Sequence, residues 1–562
     1  MKRIILIAMI LFSGVCFAQK KTTLQKTPFV WESANVYFIV TDRFNNGDKT
    51  NDHTFNRNKP TGKLRGFEGG DLRGIIQKLD EGYFTNLGIN VIWMTPIVEQ
   101  IHDGVDEGTG FTYGFHGYWT RDWSAIDPSV GTKKDLAELV QKAHAKGIRI
   151  MLDAVINHTG PVTPEDSVYP NDWVRTSPKC TYKSYDTYIN CTLVDNLPDV
   201  KTESNDNVEL PSFLANKWKK EGRYEKEMAS LDAFFKKTGY PRAPKYYIMK
   251  WLSDYITEFG IDGYRVDTAK HVTEDVWADF RKVCDQAFAE FKKNNPKKVL
   301  DNNPFFTVGE VYGYNISNKK LFDFGDKKVN YFENGFTGLI NFDFRNEAKM
   351  NYEELFSKYS NILQNDLKGN TVMNYVSSHD DSWPFDKKRE KPFEAGTKLV
   401  LAPGISQVYY GDESARSLDI EGTQGDATLR SNMNWDDIVN NPSTKEVVSH
   451  WQKLGLFRKN HSAIGAGVHT QISASPYVFS RIFTKGKFTD KVVIGLDLGQ
   501  GEKSIPVGTV FPNGTVLRDA YSGKVVVVFN GKVTINSPYS IILLEFSRET
   551  PVGKVPNHVK YK

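Results

Sequence analysis

The sequence predicts an α/β protein: a (β/α)₈ TIM barrel with an inserted subdomain after strand 3 and a C-terminal antiparallel β-sandwich. Three observations support this prediction. From about residue 34, short β-branched or aromatic runs alternate with longer amphipathic stretches, as in repeated βα units. One long segment rich in Pro, Asp and Tyr interrupts the alternation, and beyond about residue 462 helical periodicity disappears.

Eight runs have the composition of buried parallel strands. They cover residues 36–40, 91–95, 148–155, 263–266, 306–308, 338–342, 372–376 and 407–410. The amphipathic stretches between them predict helices over residues 72–87, 133–146, 246–259, 274–291, 352–363 and 393–401. Eight such units suggest a closed barrel, whose chemistry gathers at the carboxyl ends of the strands.

The interruptions set the domain boundaries. The barrel takes residues 27–157 and 244–461, and residues 158–243 form the inserted subdomain because they are too long for a βα loop. Residues 462–548 carry the hairpin signals Pro512-Asn513-Gly514 and Phe529-Asn530-Gly531, which predict the sandwich. A polar tail at 549–562 completes the chain.

Residues 1–18 predict a secretory signal peptide. Lys2 and Arg3 precede nine apolar residues, and a small-residue segment ends at Ala18, where cleavage is expected. A lipobox at Cys16 is the alternative, although Val15 stands where a small residue is wanted. No apolar run is long enough to span a bilayer. We therefore expect an exported protein, periplasmic or extracellular, with no membrane span.

Composition and charge exclude several classes of protein. The 562 residues are 40% hydrophobic and 25% charged, as in globular domains and unlike a coiled coil, a collagen or a disordered tail. The formal net charge of +4 is too small to bind a polyanion electrostatically, so no nucleic-acid partner is expected.

Export makes disulfides possible, which changes how the cysteines are interpreted. Cys180 and Cys191 lie close together in a polar, tyrosine-rich region and predict a bridge. Cys284 lies among apolar helix positions and predicts a free, buried thiol. A zinc site would need further Cys or His ligands nearby, and the sequence has none there.

Polar clusters follow four of the predicted strands, at residues 153–158, 263–271, 309–311 and 378–380. A single cluster is more simply explained as a salt bridge at the barrel rim, for example Arg265 holding Asp267. Four clusters together bring Asp267, Glu310 and Asp380 to one rim. The mutual repulsion of these three carboxylates would destabilise the fold. A catalytic role therefore explains their proximity better than a structural role does.

The order and spacing of these clusters resemble the four signature regions of glycoside hydrolase family 13, the α-amylase family. Further segments that carry the resemblance are 115–119, 197–199 and 409–413. Segments 41–44, 46–48 and 120–123 look most like bacterial periplasmic α-amylases. The resemblance extends over nearly the whole mature chain.

This resemblance implies a retaining, double-displacement glycosidase. Asp267 is then the nucleophile, kept ionised by Arg265 two residues earlier on the same strand face. Glu310 is the acid/base, with a raised pKa, and Asp380 binds sugar hydroxyls and distorts the ring. The carboxyl groups of Asp267 and Glu310 are expected to stand about 5–5.5 Å apart.

The resemblance also implies a set of glucan-binding residues. His158 and His379 look like the hydroxyl-binding histidines of the family, although a lone histidine is more often a satisfied polar residue. Lys270 and His271 match a pair on the leaving-group side, and the ring of Phe115 stands where a stacking tyrosine is usual. The expected substrate-binding residues are Phe115, His116, His158, Arg265, Lys270, His271 and His379.

Two calcium sites are implied as well. The first uses Asn157, Asp199 and the backbone carbonyl of His271, and would tie the barrel to the insertion through oxygen ligands. The second uses Asn46, Asp48, Asn51, Asp52, Gly69 and Asp71. Its alternative is a simple turn, because Asn, Asp and Gly are turn formers.

The leading hypothesis is an exported, monomeric α-amylase that hydrolyses internal α-1,4-glucosidic bonds of starch or maltodextrin. A cyclodextrin glucanotransferase would share every residue named above, but chain length disfavours it because those enzymes usually carry extra domains. A non-catalytic glycan-binding protein is the third hypothesis. It does not explain why a proton donor would stand beside a nucleophile.

Overall fold

Eight parallel strands form a closed barrel, which confirms the predicted fold class. The computed structural model describes residues 27–547. The predicted signal peptide and the predicted tail lie outside these residues. The barrel strands are β1 (Asn35–Ile39), β2 (Val91–Met94), β3 (Arg149–Ala154), β4 (Gly263–Val266), β5 (Phe306–Gly309), β6 (Gly338–Asn341), β7 (Thr371–Tyr375) and β8 (Ile405–Tyr409). All of their residues are buried, as expected for strands covered on both faces.

Helices surround the barrel close to the predicted positions. They are Leu72–Asp80, Tyr83–Asn86, Lys133–Ala145, Pro244–Phe259, Glu274–Asn294, Tyr352–Gln364, Pro392–Val400 and Pro442–Asn460. The stretch predicted as one helix over residues 72–87 is two helices. Gly82 adopts a left-handed conformation between them (φ 82°), which interrupts the helical hydrogen bonding.

Local sequence signals set the ends of these helices. Thr132 and Asp135 form a capping box at the start of Lys133–Ala145. Pro244, Pro392 and Pro442 occupy first helical positions, where a missing N–H costs nothing. Gly260 ends the helix before β4 at φ 74°, and a Cβ atom there would come within 2.1 Å of the Phe291 ring.

The insertion after β3 forms a subdomain of its own. The short strands Val174–Arg175 and Asp199–Val200 pair in antiparallel fashion, and two helices follow at Ser212–Lys220 and Tyr224–Thr238. Cys180 is bonded to Cys191, and Cys284 is free and buried. Both predictions about the cysteines are confirmed.

The C-terminal region is an antiparallel β domain with its own core. Its six-stranded sheet contains Val468–Ala474, Tyr477–Lys485, Phe488–Leu496, Ile542–Phe546, Val516–Asp519 and Val525–Val527. A second sheet pairs Gly501–Pro506 with Lys532–Ser537. Side chains of both sheets, such as Val493 and Ile535, belong to one buried cluster. Within residues 27–547, no helix is long and apolar enough to cross a membrane.

His461 joins the end of the last barrel helix to the C-terminal domain. Its Nδ1 lies 2.8 Å from Asp490 Oδ1, and its Nε2 lies 2.6 Å from Glu545 Oε2. Burial lowers the pKa of His461, but hydrogen bonds to the two carboxylates more than offset burial and raise that pKa to about 9. The ring is therefore a cation, with 12% of its side chain exposed, that donates to both carboxylates.

This contact predicts a pH-dependent stability. Because the pKa is raised on folding, the stabilisation is complete below about pH 6.5 and is lost as the pH rises through about 9. His461→Gln should lower the free energy of unfolding by up to about 3 kcal/mol at pH 6.5 and by much less at pH 10. Urea unfolding at both pH values measures the difference. A control variant at the exposed His53, His53→Gln, should change stability at neither pH.

A deficit of His461→Gln that stayed constant between the two pH values would contradict the charged state of His461.

Candidate active site

Two of the predicted catalytic carboxylates leave adjoining strands side by side. Val266 pairs with Gly309 in the parallel ladder of β4 and β5, so Asp267 and Glu310 are the next residues on each strand. The Glu310 N–H donates to Val266 O at 2.9 Å, and the Asp267 N–H donates to Ala154 O at 3.0 Å. Barrel pairing therefore fixes the backbone of both residues.

Arg265 lies between these carboxylates and is almost fully buried, with 1% of its side chain exposed. Its Nη1 donates to Asp267 Oδ1 at 2.7 Å and to Asp153 Oδ1 at 3.0 Å. Its Nη2 lies 2.9 Å from Glu310 Oε2. One guanidinium thus contacts three carboxylates, which belong to β3 and to the ends of β4 and β5.

The two carboxylates have opposite pKa shifts. Burial raises the pKa of Asp267, but Arg265 and His158 outweigh burial, and the pKa lies below its ordinary value. Burial also raises the pKa of Glu310, Arg265 opposes it, and the negative charges of Asp267 and Asp380 raise it further, so the pKa lies well above its ordinary value. Two groups with such different environments suit an anionic nucleophile and a protonated acid.

Asp153, for which the sequence motifs predict no individual role, is the third partner of Arg265. Burial is the main cause that raises its pKa to about 7. The Tyr118 hydroxyl donates to Asp153 Oδ2 at 2.9 Å, and Trp93 Nε1 donates to the same oxygen at 3.3 Å. Asp153 is the register partner of Arg265 in the ladder of β3 and β4. Strand alternation could have indicated that Asp153 faces the barrel interior, but not which residue it meets.

Asp380 lies on the loop that follows β7. Its side chain is 41% exposed, which makes it the most open of the three predicted catalytic carboxylates. Its Oδ2 is 3.5 Å from Nε2 of His379, and Arg430 Nε donates to the backbone carbonyl of His379 at 2.9 Å. The ring of the adjacent His379 stacks on Tyr118, whose hydroxyl binds Asp153, so Asp380 lies at the same site.

Two further predicted histidines lie beside this cluster. His158 Nε2 donates to the Tyr118 carbonyl at 3.1 Å, whereas its Nδ1 is buried with no hydrogen-bond partner among residues 27–547. His116 Nδ1 accepts from the Tyr118 N–H at 3.1 Å. Burial lowers the pKa of both histidines, so both rings are neutral near pH 7.

Lys270 and His271 lie on the loop after β4. Lys270 Nζ donates to the Tyr312 carbonyl at 2.8 Å, and burial lowers the pKa of this lysine to about 8. His271 Nδ1 donates to the carbonyl of Tyr188, which lies within the loop that the Cys180–Cys191 bridge closes. The disulfide loop of the insertion thus borders this side of the site.

Phe115 does not occupy the position expected of a stacking ring. Only 5% of the residue is exposed, and the Arg43 guanidinium covers its ring at 3.9 Å. The aromatic residue beside the carboxylates is Tyr118, whose ring stacks on His379 with centroids 5.4 Å apart and whose hydroxyl binds Asp153. Arg43 thus occupies one face of the predicted stacking residue Phe115, whereas Tyr118 of the same motif lies beside the carboxylates.

Asn157 and Asp199 of the first expected calcium site lie together, and one oxygen of Asn157 has no partner among the described residues. Asn157 Oδ1 is buried with no hydrogen-bond partner in the described part of the chain, while Asn157 Nδ2 donates to Asp199 Oδ1 at 3.0 Å. Arg175 Nε donates to Asp199 Oδ2 at 2.8 Å, but burial still raises the pKa of Asp199 to about 8. The unpaired oxygen and the desolvated carboxyl group fit a cation.

The second expected site contains two buried amide oxygens, Asn46 Oδ1 and Asn51 Oδ1, that have no hydrogen-bond partner within residues 27–547. Asn46 Nδ2 donates to Asp52 Oδ1 at 2.9 Å. Gly69 closes the group, since a Cβ atom there would lie 2.3 Å from Asn46 Nδ2 and 2.7 Å from Asp52 Oδ1. These oxygens also fit a cation.

Asp48 and Asp71 of the same set have turn and capping roles. Asp48 Oδ1 accepts from the Thr50 N–H at 3.0 Å, and Asp71 Oδ1 accepts from the Gly74 N–H at 2.6 Å at the start of a helix. Over residues 27–547, no group of three or more His, Cys, Asp or Glu side chains is arranged to hold a metal. A cation here would therefore depend on amide and backbone oxygens together with no more than two carboxylates.

Comparison with known proteins identifies the family. Residues 38–462 match the family model described as "Alpha amylase, catalytic domain". The chain belongs to the α-amylase family. It is 34% identical over 517 residues to "Periplasmic alpha-amylase" of Escherichia coli (strain K12), covering 82% of this chain and 72% of that protein. It is 28% identical to "Beta/alpha-amylase" of Paenibacillus polymyxa over 90% of this chain but only 37% of that longer protein.

Solved structures of the α-amylase family share the fold. An Anoxybacillus α-amylase matches with a TM-score of 0.62 and 24% identity, over 93% of this chain and all of that one. A cyclomaltodextrin glucanotransferase described as having a three-domain ABC distribution matches with a TM-score of 0.63 and 20% identity, over 92% and 99% of the two chains. The family resemblance read from the sequence is confirmed, and the protein is a glycoside hydrolase of this family.

The central position of Arg265 predicts a large effect from a conservative change. Arg265→Lys keeps the charge but cannot contact carboxylates through two separate nitrogens. We expect kcat for glucan hydrolysis to fall about 10²–10³-fold, the usual cost of removing one preorganised donor. Arg281→Lys, at a helix position where Arg281 pairs with Asp285, is the matched control and should retain activity. Steady-state assays on amylose would measure both.

Wild-type kcat in a folded Arg265→Lys variant would contradict the role given to the shared guanidinium.

Proposed function

We propose that this protein is an exported α-amylase that hydrolyses internal α-1,4-glucosidic bonds of starch and maltodextrins with retention of configuration. The observation that carries the proposal is the opposite shift of two pKa values in one cluster. Arg265 contacts Asp267 at 2.7 Å and Glu310 at 2.9 Å, and the pKa of Asp267 lies below its ordinary value whereas that of Glu310 lies well above it. Shifts in these directions suit the ionised nucleophile and the protonated acid that a retaining glycosidase needs in its resting enzyme.

In the first step, Glu310 donates its proton to the glycosidic oxygen while an Asp267 oxygen attacks the anomeric carbon. The bond from that carbon to the glycosidic oxygen breaks, and the shortened glucan leaves with a new hydroxyl group. The products on the enzyme are a glycosyl ester of Asp267 and a Glu310 carboxylate. Arg265 would stabilise the carboxylate charge that moves between the two residues.

In the second step, the Glu310 carboxylate takes a proton from a water molecule whose oxygen attacks the anomeric carbon. The ester bond to Asp267 breaks, which returns Asp267 as a carboxylate and Glu310 as an acid. Two inversions give net retention. Asp267 and Glu310 contact the two Nη nitrogens of one guanidinium, which holds the carboxyl groups close together, as a double displacement requires.

The remaining polar groups would hold the substrate. Asp380 is exposed enough to accept hydrogen bonds from sugar hydroxyls, and the unpartnered Nδ1 of His158 can bind another. The ring of Tyr118 would stack on the sugar at the cleaved bond. Lys270 and His271 would contact the glucan on the leaving-group side, and His116 and His379 would complete the hydroxyl contacts.

Calcium is proposed as a structural cofactor at both oxygen-rich positions. Asn157, Asp199 and the backbone of His271 would hold one ion, and Asn46, Asn51, Asp52 and Gly69 would form the core of the other. Bound Ca²⁺ would be the electrostatic partner that the unpaired amide oxygens lack. Asp48 and Asp71 would join the second site only through oxygens that already serve as turn and cap acceptors.

Export is supported by one relative, the E. coli protein described as periplasmic. The predicted leader itself lies outside the described residues. The choice between periplasm and exterior, and the monomeric state, remain predictions.

A glucanotransferase activity is the second candidate, and one observation favours keeping it. The structural match to a cyclomaltodextrin glucanotransferase with a three-domain ABC distribution extends over 99% of that enzyme's chain. Neither the number of domains nor the length of the chain therefore separates the two activities. The two activities differ in whether water or a sugar hydroxyl attacks the glycosyl-enzyme.

Product analysis tests the proposed function. Wild type on amylose should release linear maltooligosaccharides, and Glu310→Gln should be slower by about 10²–10⁴-fold because it lacks the proton donor. Glu290→Gln, at a surface position paired with Lys237, is the control and should match wild type. Chromatography of the products separates linear from cyclic glucans.

Cyclic products as the main outcome would favour the glucanotransferase, and equal rates for Glu310→Gln and wild type would refute the acid/base assignment.

Chelation tests the proposed metal. EDTA should lower the melting temperature, and excess Ca²⁺ should restore it, because an ion that binds only the folded state at 100 times its Kd adds about 2.7 kcal/mol of stability. Asn157→Ala and Asn46→Ala should each remove part of the shift. A melting temperature that EDTA leaves unchanged would remove calcium from the proposal.

A further inference from the structure

The ammonium group of Lys270 lies among three aromatic rings. Its Nζ is 4.9 Å from the ring centroid of Tyr188, 5.2 Å from that of Tyr312 and 5.5 Å from that of Phe322. A lysine cation is attracted to aromatic faces at such distances, and more strongly where it has lost part of its hydration. Only 8% of Lys270 is exposed. The rings, together with the Tyr312 carbonyl that accepts from Nζ, therefore fix the position of this cation.

The three rings come from two segments of the chain. Tyr312 and Phe322 follow β5, so the barrel carries them. Tyr188 belongs to the inserted subdomain and lies shortly before Cys191. The two segments are in contact, because the ring centroid of Phe324 in the β5 segment is 5.1 Å from that of Tyr188. Through Tyr188, the insertion thus reaches a cation that belongs to the barrel.

Tyr188 also contacts His271, the neighbour of Lys270 in the site. The Tyr188 carbonyl accepts from His271 Nδ1 at 2.9 Å, and the two ring centroids are 6.1 Å apart. In a neutral imidazole, a proton on Nδ1 leaves Nε2 as the hydrogen-bond acceptor. The carbonyl of Tyr188 therefore selects the form of His271 whose Nε2 can accept from a sugar hydroxyl.

The loop that carries Tyr188 is fixed at its ends and at its middle. The Cys180–Cys191 bridge closes the loop over a separation of 11 residues, and both cysteines are buried. The Tyr185 N–H donates to Asp326 Oδ1 at 2.8 Å, which ties the loop to the segment after β5. A cross-link over so short a loop excludes most other backbone conformations. The bridge therefore restricts where the ring and the carbonyl of Tyr188 can lie.

We propose that Tyr188 is a positioning residue for the leaving-group side of the cleft. Its ring holds the ammonium group of Lys270, its carbonyl orients the imidazole of His271, and the disulfide keeps Tyr188 in place. The inference rests on the proposed function, in which Lys270 and His271 contact the departing part of the glucan. Because Tyr188 acts through these two residues, its effect is confined to substrates that carry sugar on the leaving-group side.

Two substrates separate this role from a merely structural one. Maltoheptaose places glucose units on both sides of the cleaved bond, whereas α-maltosyl fluoride has only fluorine on the leaving-group side. Tyr188→Leu removes the aromatic face. It should lower kcat/KM on maltoheptaose about tenfold and leave kcat/KM on α-maltosyl fluoride within about twofold of wild type. Tyr188→Phe keeps the ring and the carbonyl and should match wild type on both substrates.

A control and a disulfide variant complete the set. Tyr224→Leu removes another ring of the insertion that a lysine covers, with Lys219 Nζ 4.8 Å from its centroid, and should change neither substrate. Cys180→Ser with Cys191→Ser opens the loop and should show the same selective loss as Tyr188→Leu. Wild-type kinetics in the folded serine variant would overturn the part given to the disulfide. Melting temperatures report the folding of every variant.

The outcomes separate this proposal from the proposed function. Equal losses of Tyr188→Leu on both substrates, or no loss on either, would overturn the positioning role and leave the amylase standing. A wild type that hydrolyses neither amylose nor α-maltosyl fluoride would refute the amylase, and calorimetric titration with maltoheptaose would then decide the role of Tyr188. Binding about tenfold weaker to Tyr188→Leu than to wild type would support that role, and equal binding would overturn it.

Discussion

The active site depends on one buried guanidinium shared by three carboxylates. Three acidic side chains could not be buried together at the end of a barrel without a cation between them, because each would lose its hydration uncompensated. Arg265 supplies that cation from the interior of β4 and contacts Asp153, Asp267 and Glu310 at once. The register of β3, β4 and β5 is therefore part of the catalytic machinery.

Asp267 and Glu310 contact the same cation but have pKa values shifted in opposite directions, because their other neighbours differ. Asp267 makes the shorter contact with Arg265, 2.7 Å against 2.9 Å for Glu310, and also lies near His158. Glu310 instead faces the charges of Asp267 and Asp380, which oppose its ionisation. Although Asp267 and Glu310 both bind Arg265, their different positions at the end of the barrel determine which one suits the nucleophile and which one suits the proton donor.

The accessory domains meet the barrel through polar contacts as well as apolar packing. His461 bridges Asp490 and Glu545 at the C-terminal domain, and Asn157 contacts Asp199 of the insertion. Buried apolar side chains of the barrel helices and the C-terminal domain also pack together, for example Phe356 against Phe479 with centroids 5.5 Å apart.

The sequence by itself determined the eight strands, most helices, the cysteine pairing and the positions of Asp267 and Glu310. Those features depend on composition and spacing within a few residues, which local physics controls. Only the tertiary structure decided that Asp153 meets Arg265, 112 residues away, and that Arg43 covers Phe115 and leaves Tyr118 at the site. The barrel register and the packing of loops determine these contacts, and the local sequence around each residue does not indicate which distant residue it will meet.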